Sequence, residues 1–329
     1  MKPSQLEQWV GDIFVAAGMA RESAQTIAQV LVWADLRGMG SHGVMRVPRY
    51  VEWMRSGVIH ANPGISVEVE TPACILLDAG RAAGPVAMVH AMRAAITKAR
   101  DAGIGLALVR HTTHTGALGY YTQMAARQGM AAIALAASGP NMVYHGARAA
   151  GVSTAPLSIA VPGDDAPLAL DMASGMVSLG KLMQARRTGE LLKEGLALDA
   201  QGEPTTDARA ATIPLPLGGP KGSGLALMIE CLASLISGSP ILAAALEGAD
   251  RRHRQNGLVI AIDVERFTPL PQFRAEVARL ARDIKNLPGE NILMPGERGH
   301  RNAARQDVVL APAVLKELEA TAKSLGVAQ

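Results

Sequence analysis

Three side chains suited to acid/base and anion chemistry recur at four-residue spacing in one short stretch. His42, Arg46 and Tyr50 lie within residues 34–50, which read ADLRGMGSHGVMRVPRY. If a helix resumes after Gly43, residues i, i+4 and i+8 share one face, and these three side chains line up on it. Imidazole titrates near neutral pH, and guanidinium grips a carboxylate through two hydrogen bonds. The stretch therefore predicts proton transfer on a small carboxylate substrate.

Pro48 weakens the single-face argument without removing it. Because proline is tolerated in the first turn of a helix, we expect the helix to begin nearer Val47 than Val44. A solvated polar face is the other interpretation of the same spacing. The residues alone leave both interpretations open.

Two stretches imitate nucleotide-binding loops. Residues 38–43 satisfy G-x-G-x-x-G, but such a loop must follow a buried strand, whereas helical periodicity with Asp35 and Arg37 precedes it. Residues 175–181 satisfy G-x-x-x-x-G-K, but Leu182 stands where magnesium binding needs a hydroxyl. Neither motif supports a Rossmann or P-loop assignment.

Three other loops open predicted helices and carry groups that suit an anion. His111 and His114 follow a buried strand in RHTTHTG, residues 218–224 read GGPKGSG, and residues 295–298 read PGER. Free backbone amides at a helix N-terminus bind phosphate groups, although ordinary polar or glycine-rich turns also explain such loops. If these loops hold a phosphorylated cofactor, a redox reaction on the carboxylate substrate follows.

Composition excludes several classes of protein. The chain has 329 residues, 49% of them hydrophobic and 19% charged, with a net charge of +3. These values indicate a globular protein and give no basic surface for a nucleic acid. Cys74 and Cys231 lack metal-ligand spacing, so we expect no metal. The longest apolar stretch, 224–238, contains Glu230 and is too short for a membrane span, and the start of the chain lacks a signal peptide pattern, so we expect a cytoplasmic protein.

Periodicity predicts an alternation of strands and helices without a strict βαβ order. Helices concentrate at both ends of the chain, which suggests a helical terminal domain (1–62 with 268–329) around a central α/β domain (63–267). The main predicted helices span 21–37, 84–102, 116–128, 222–236, 271–285 and 312–325. The predicted strands span 65–69, 74–77, 104–109, 130–137, 157–161, 168–172 and 258–263.

Six ordered blocks of the chain resemble the malate/L-lactate dehydrogenase family of the second, non-Rossmann type. That family includes ureidoglycolate and sulfolactate dehydrogenases, diketogulonate reductases, and reductases of the cyclic imines piperideine- and pyrroline-2-carboxylate. The blocks are ADLRGMGSHGVMRVPRY, HTGALGYY, LDMASGMVSLGK, EGLALDAQGEPTTD, LPLGGPKGSGLALM and MPGER. Six blocks in the same order are far more specific than any one of them.

The resemblance implies a hydride transfer between NAD(P)H and C2 of a small 2-oxo or 2-hydroxy acid. It makes His42 the proton donor to the carbonyl, with Ser41 supporting it. It makes Arg46 the group that holds the substrate carboxylate, helped by Thr154. Tyr50 and Asn141 would line the pocket.

The resemblance also implies a cofactor site, and it leaves NAD and NADP undistinguished. A basic residue near the ribose would favour NADP, and Arg186, Arg187 and Arg298 are candidates. Thr115 replaces the aromatic or cysteine of many relatives, and no aspartate stands where the imine reductases have a relay to the catalytic histidine. The implied cofactor residues are His114, Thr115, Gly116, Ala117, Leu118, Asp171, Met172, Ala173, Pro220, Lys221, Pro295, Gly296, Glu297 and Arg298.

The implied fold class is α+β, with a mostly antiparallel central sheet, flanking helices and a helical domain formed by both chain ends. The implied assembly is a homodimer with a small carboxylate substrate and with no nucleic-acid or membrane partner. Two alternatives remain open. One is a reductase of cyclic imines, and the other is a catalytically inactive protein that keeps the fold and binds the cofactor.

Overall fold

A seven-stranded sheet forms the centre of the molecule. A computed structural model describes residues 1–250, 253–305 and 307–328. The strand order of the seven-stranded sheet is β1-β2-β3-β12-β4-β7-β8. Neighbouring strands are antiparallel except for the parallel pair β2–β3. The sheet strands are β1 (Ser66–Glu70), β2 (Cys74–Asp78), β3 (Ile104–Thr112), β4 (Met130–Ser138), β7 (Leu157–Val161), β8 (Leu168–Met172) and β12 (Gln255–Asp263).

Smaller sheets and the helices surround this centre. The short strands are β5 (Met142–Val143), β6 (Ala150–Val152), β9 (Ala197–Leu198), β10 (Pro204–Thr205) and β11 (Ile213–Pro214). The helices are α1 (Pro3–Ala16), α2 (Arg21–Leu36), α3 (Val47–Arg55), α4 (Gly84–Ala102), α5 (Gly119–Ala126), α6 (Leu179–Thr188), α7 (Pro220–Glu230), α8 (Leu242–Leu246), α9 (Leu270–Lys285), α10 (Glu297–Ala303) and α11 (Pro312–Ser324). A π-helical turn, Cys231–Leu235, continues α7. The mostly antiparallel α+β fold class is thus confirmed.

The core against the sheet is built from small and flexible side chains, as the 3% aromatic content requires. Helix α4 packs Met88, Met92 and Ile96 against β3 and β12, and alanines fill most of the remaining space. Small side chains let the helix backbone approach the sheet closely. Gly105 of β3 marks the closest approach, because a β-carbon there would lie 1.9 Å from the carbonyl oxygen of Ala95.

A second apolar cluster joins the two ends of the chain. Phe14, Leu31 and Tyr50 of the first three helices are buried in the same cluster as Leu318 and Ala322 of α11. This contact accounts for the helices at both termini. Helix α9, by contrast, has no buried residue. The division of the chain at residues 62 and 268 stays a prediction.

The stretch that carries the candidate chemistry is not one helix. Two 3₁₀ turns, Gly40–His42 and Val44–Arg46, precede α3, which begins at Val47 with Pro48 in its first turn. The prediction of one helical face after Gly43 is therefore wrong, whereas the start at Val47 is confirmed. His42 and Arg46 therefore lie in the 3₁₀ turns that precede α3, and only Tyr50 lies within the helix.

We expect Gly105→Ala to lower the free energy of unfolding by about 1–3 kcal/mol, because the added methyl group forces α4 away from the sheet. Gly224→Ala is the matched control. It lies within α7, where a β-carbon meets nothing within 4 Å, and alanine favours helix by up to about 1 kcal/mol. Urea unfolding followed by circular dichroism measures both. Equal stabilities for the two variants would contradict the tight α4–sheet contact.

Candidate active site

A carboxylate at the end of α2 holds the turn that carries the candidate catalytic residues. Asp35 Oδ2 accepts a hydrogen bond from the Val44 amide at 2.7 Å. A β-carbon at Gly43 would lie 2.1 Å from Asp35 Oδ1, so only glycine lets the turn fold this closely over the carboxylate. Burial raises the pKa of Asp35 to about 6, against the effect of the Val44 amide. Asp35 thereby fixes the backbone that directly follows His42.

Ser41 and Arg46 surround His42 from within the same turn. The Ser41 hydroxyl lies 3.0 Å from His42 Nδ1, and Arg46 Nε donates to the Ser41 carbonyl at 2.7 Å. Burial, assisted by the positive charge of Arg46, lowers the pKa of His42 to about 4. The imidazole is therefore neutral at pH 7 and able to accept a proton.

A second imidazole stacks on the first. The rings of His42 and His114 have centroids 5.7 Å apart and planes 21° apart. The Tyr50 hydroxyl lies 2.7 Å from His114 Nδ1 and donates to the His114 carbonyl at 3.1 Å. Since the hydroxyl has one proton, this geometry favours His114 Nδ1–H as donor to Tyr50, leaving His114 Nε2 as an acceptor. Burial holds the pKa of His114 well below its usual range.

The loop around His114 is clamped by the sheet and by α4. A β-carbon at Gly84, the first residue of α4, would lie 2.2 Å from the His114 carbonyl oxygen. Gln255 Oε1 accepts hydrogen bonds from both the amide and the hydroxyl of Thr115, at 3.0 and 3.1 Å. The Tyr121 hydroxyl donates to the Thr115 carbonyl. The hydroxyl group of Thr115 thus already has a hydrogen-bond partner within the protein.

A cavity of about 650 Å³ opens beside His114. Asn141, Trp53 and Gln255 also line it. Asn141 Oδ1 accepts a hydrogen bond from the Thr154 amide at 2.7 Å, so the predicted substrate residue Thr154 lies directly beside Asn141. Tyr50 is fully buried and reaches the cavity wall only through its contacts with His114 and Trp53.

Arg46 lines a different depression from Asn141. Its cleft, of about 550 Å³, includes Arg49, Glu52 and Arg186. The structure therefore brings Ser41, His42 and Arg46 together, but it does not bring Arg46 and Asn141 into one cavity. Within the described chain, the two terminal nitrogens of Arg46 donate to no protein group.

Helix α6 covers Ser41. The helix begins where Ser178 accepts a hydrogen bond from the Lys181 amide at 3.3 Å, and a β-carbon at Gly180 would lie 2.4 Å from Ser41 Cβ. The sequence did not predict this contact, although the segment matches one of the six family blocks and its glycine and lysine imitate a P-loop. The contact links positions 139 residues apart, and no local pattern reveals it.

The predicted cofactor segments meet along β8 and its continuation. Asp171 Oδ2 accepts from the Gly119 amide at 2.8 Å, and the Ala169 amide donates to the Pro295 carbonyl at 3.2 Å. Further along, the Leu217 amide donates to the Ser174 carbonyl at 2.9 Å. The loops that contain residues 114–118, 171–173, 220–221 and 295–298 are therefore held by one strand and the residues that follow it.

We call the line formed by β8 and the residues that follow it, up to Ser174, the β8 seam. The hydrogen-bond donors along the β8 seam fit an anionic cofactor. Gly218 and Gly219 have positive φ and lead directly into α7, where Lys221 is exposed. The Ser174 hydroxyl is buried and has no partner among the described residues. Ala117 and Leu118, by contrast, place their side chains in apolar clusters, so any contact with a cofactor there involves the backbone.

The arginines that could bind the 2′-phosphate of NADP differ in whether the protein already engages their guanidinium groups. Arg186 donates to the carbonyl groups of Ala208 and Ala211, whereas Arg298 is exposed. The side chain of Arg187 lies outside the described part of the structure. Glu297, next to Arg298, accepts from Lys285 at 2.8 Å, and its ion pairs and hydrogen bonds lower its pKa to about 2.

The described chain offers neither a metal site nor a membrane span. Among residues 1–250, 253–305 and 307–328 no group of three or more histidine, cysteine, aspartate or glutamate side chains is placed to bind a metal ion. In the same ranges no helix is both long enough and apolar enough to cross a membrane. The fold is α+β, and the stacked imidazoles of His42 and His114 form its candidate acid/base site.

The chain belongs to the malate/L-lactate dehydrogenase family, whose model matches residues 1–319. It is therefore an oxidoreductase. It is 34% identical to malate dehydrogenase of Pyrococcus horikoshii, covering 98% of this chain and 94% of the relative. It is 34% identical to an NAD(+)-dependent ureidoglycolate dehydrogenase of Escherichia coli O157:H7, covering 89% and 86%.

Other relatives differ in cofactor and substrate. An NADP(+)-dependent (2R)-3-sulfolactate dehydrogenase of Chromohalobacter salexigens is 32% identical, with 94% of each chain covered. The solved structure of delta1-piperideine-2-carboxylate reductase from Pseudomonas syringae pvar. tomato is 29% identical, with a TM-score of 0.88 and 98% and 99% of the two chains covered. The resemblance inferred from the six sequence blocks is confirmed.

We expect Asp35→Ala to reduce kcat/KM at least about tenfold, because the Val44 amide loses its acceptor and the turn that positions His42 loosens. Asp35→Asn keeps an oxygen acceptor and should retain more activity. Asp12→Ala, which removes an exposed helical aspartate paired with Arg21, is the control. Steady-state kinetics and thermal unfolding of all three variants distinguish a loosened turn from general instability. Full activity in Asp35→Ala would exclude this positioning role.

Proposed function

We propose that this protein transfers a hydride between NAD(P)H and C2 of a small 2-oxo or 2-hydroxy acid. The observation that carries this proposal is the stacked pair of His42 and His114, each with Nδ1 tied to a hydroxyl group. Because Nδ1 is occupied in both rings, Nε2 is the atom of each ring that is available for proton exchange with a substrate.

In this mechanism His42 gives the proton to the carbonyl oxygen of the 2-oxo acid, or takes it from the hydroxyl of the 2-hydroxy acid. Ser41 serves both directions, because its hydroxyl can either donate to His42 Nδ1 or accept from it. Arg46 binds the substrate carboxylate through its two terminal nitrogens, from a depression separate from the one that Asn141 lines. Thr154, whose amide bonds Asn141, assists from the side of the large cavity. When bound, the cofactor supplies or takes up the hydride.

The proposal also covers the residues that bind the cofactor, and the location, assembly and domains of the protein. The cofactor contacts are His114 to Leu118, Asp171 to Ala173, Pro220, Lys221, and Pro295 to Arg298, and they form a non-Rossmann site along the β8 seam. NAD and NADP both remain open, since relatives use either. The protein is a cytoplasmic homodimer whose helical domain comprises residues 1–62 and 268–329.

Reduction of a cyclic imine is the second candidate, because a protein with that activity shares the fold over 98% of this chain. The same residues would protonate the imine nitrogen. Within the described chain, however, the Ser41 hydroxyl bonds His42 and no carboxylate. Turnover of NADH and NADPH with a panel of linear 2-oxo acids and cyclic imines separates the two candidates. Rates with imines alone would refute the first, and cofactor binding without any turnover would indicate an inactive protein.

We expect His42→Asn to lower kcat by about 10²–10⁴-fold, which is the usual contribution of a positioned general acid. Cofactor affinity should stay close to that of the wild type, because His42 belongs to the substrate side. His90→Asn, which changes an exposed histidine of α4, is the control. Stopped-flow kinetics and cofactor titration measure the two quantities. Turnover that survives in His42→Asn would assign the proton transfer to another group, and His114→Asn would then be tested in the same way.

The lowered pKa of His42 predicts opposite pH dependences for the two directions. Oxidation needs the neutral ring, so its kcat/KM should be flat from pH 8 to 6 and fall only as pH approaches 4. Reduction needs the protonated ring, so its kcat/KM should rise roughly tenfold for each unit that pH falls over the same interval. Profiles from cofactor absorbance at 340 nm test both. An oxidation profile that bends near pH 6.5 would show that His42 keeps an ordinary pKa.

A further inference from the structure

Glu230, the last residue of α7, has a buried carboxylate without a counter-charge. The residue is only 3% exposed. Among the described residues it forms no ion pair, and its Oε2 atom is buried without a hydrogen-bond partner. A buried carboxylate that lacks a cationic partner costs free energy of folding. Stability alone therefore does not account for a glutamate at this position.

The other oxygen of Glu230 holds the start of α8. Its Oε1 atom accepts hydrogen bonds from the amides of Ile241 and Leu242, at 2.8 and 2.9 Å. Amides in the first turn of a helix have no carbonyl partner within that helix, and a charged acceptor binds them more strongly than a neutral one. Glu230 therefore fixes the point at which the chain enters α8.

The connection between α7 and α8 is itself tied to the central sheet. It begins with the π-helical turn Cys231–Leu235, and such turns are rare and frequent at functional sites. The side-chain amide of the buried Asn256, on β12, donates to the Ser234 hydroxyl at 3.0 Å and to the Ser239 carbonyl at 2.7 Å. The turn and the sheet thus form one support, and Glu230 joins this support to α8.

The chain between α8 and β12 forms one wall of the large cavity that His114 and Asn141 also line. We call residues 241–250 and 253–255 the α8 wall. At its end, Gln255 accepts hydrogen bonds from the amide and the hydroxyl of Thr115, next to His114. The α8 wall is thus fixed by Glu230 at its start and by Gln255 at its end. Its residues in the cavity lining include Ala245, Gly248, Ala249, Asp250, His253 and Gln255.

Aromatic rings connect the α8 wall to the candidate catalytic histidines. The ring centroids of His253 and Trp53 are 4.7 Å apart, and those of Trp53 and Tyr50 are 5.7 Å apart with planes at 19°. The Tyr50 hydroxyl lies 2.7 Å from His114 Nδ1, and His114 stacks on His42. A displacement of the α8 wall therefore reaches both imidazoles through these contacts.

We propose that Glu230 is a positioning residue for the large cavity. Its carboxylate sets where the α8 wall lies against Trp53, and through Trp53 and Tyr50 it keeps His114 in place beside His42. The effect on turnover rests on the proposed function. The effect on the shape of the cavity does not depend on it.

The first test compares two side chains of similar size that differ in the acceptor oxygen. Because a misplacement of about 1 Å can cost about a hundredfold in rate, we expect Glu230→Met to lower kcat/KM for the 2-oxo acid about ten- to hundredfold. Glu230→Gln keeps an oxygen that accepts from both amides of α8, so it should retain most of the activity. It should also unfold no more easily than the wild type, since it removes a buried charge.

Cofactor affinity and a second buried residue provide the controls. Helix α7 has 11 residues, so roughly 15 Å separates Glu230 from the loop of Lys221, and the cofactor Kd should stay close to that of the wild type. Ser237→Ala removes a buried hydroxyl whose hydrogen bonds go to Ala233 and Ser234 within the turn. It should lower the melting temperature without changing kcat/KM.

The second test measures the position of the α8 wall without turnover. Trp53 is partly exposed in the cavity, whereas Trp9 and Trp33 are buried, so acrylamide quenching of tryptophan fluorescence reports mainly on Trp53. Quenching should increase in Glu230→Met and stay at the wild-type level in Glu230→Gln and Ser237→Ala. Should Glu230→Met fail to fold, Glu230→Ala takes its place in both tests.

The two tests separate failure of this inference from failure of the proposed function. If the wild type turns over no 2-oxo acid but quenching increases in Glu230→Met alone, the proposed function falls and the role of Glu230 stands. Wild-type quenching in Glu230→Met would overturn that role. Equal losses in Glu230→Met and Glu230→Gln, or in Glu230→Met and Ser237→Ala, would overturn it as well.

Discussion

The contact between Tyr50 and His114 holds the site together. It joins α3 of the helical cluster to the loop that leaves β3, across 64 residues of chain. Tyr50 is buried among Phe14 and Trp53, so the hydroxyl has little freedom to move. Because His114 in turn stacks on His42, the apolar packing of the first three helices sets the separation of the two imidazoles. The arrangement of the two imidazoles is thus a product of core packing, and not of the loops alone.

Desolvation is the second constraint, and it shifts the pKa of both histidines and of Tyr50. Burial lowers the pKa of both histidines and raises the pKa of Tyr50 well above its usual value. A neutral ring beside a neutral phenol leaves Arg46 as the charged group of the turn. This arrangement suits an anionic substrate, whose carboxylate supplies the charge that Arg46 lacks among the described residues.

Much of the fold could be predicted from periodicity, because the pattern of apolar residues matches the elements wherever they are long. The helix at 84–102 and the strands at 157–161 and 168–172 have the predicted bounds. The two 3₁₀ turns at 40–46 could not be predicted, since they depend on the contact of Asp35 with the Val44 amide and on the missing β-carbon of Gly43. The helix predicted over 116–128 spans only Gly119–Ala126, and the residues just before it, 114 and 115, are held in a loop by Gln255 and by the close approach of Gly84. The candidate site residues were predicted by motif and stay predictions, and their grouping into two depressions could not be predicted because it depends on tertiary structure.

The close approach of Gly180 to Ser41 matters for anyone who wishes to change this enzyme by selection. The two positions must be varied as a pair, because any side chain at 180 displaces Ser41, and a larger side chain at 41 displaces α6. Libraries that randomise the SHG triplet alone would therefore lose variants through helix displacement, and the loss would be mistaken for a chemical requirement. Libraries that vary positions 41 and 180 together would recover those variants. They would also show how much of the requirement for serine at position 41 is steric.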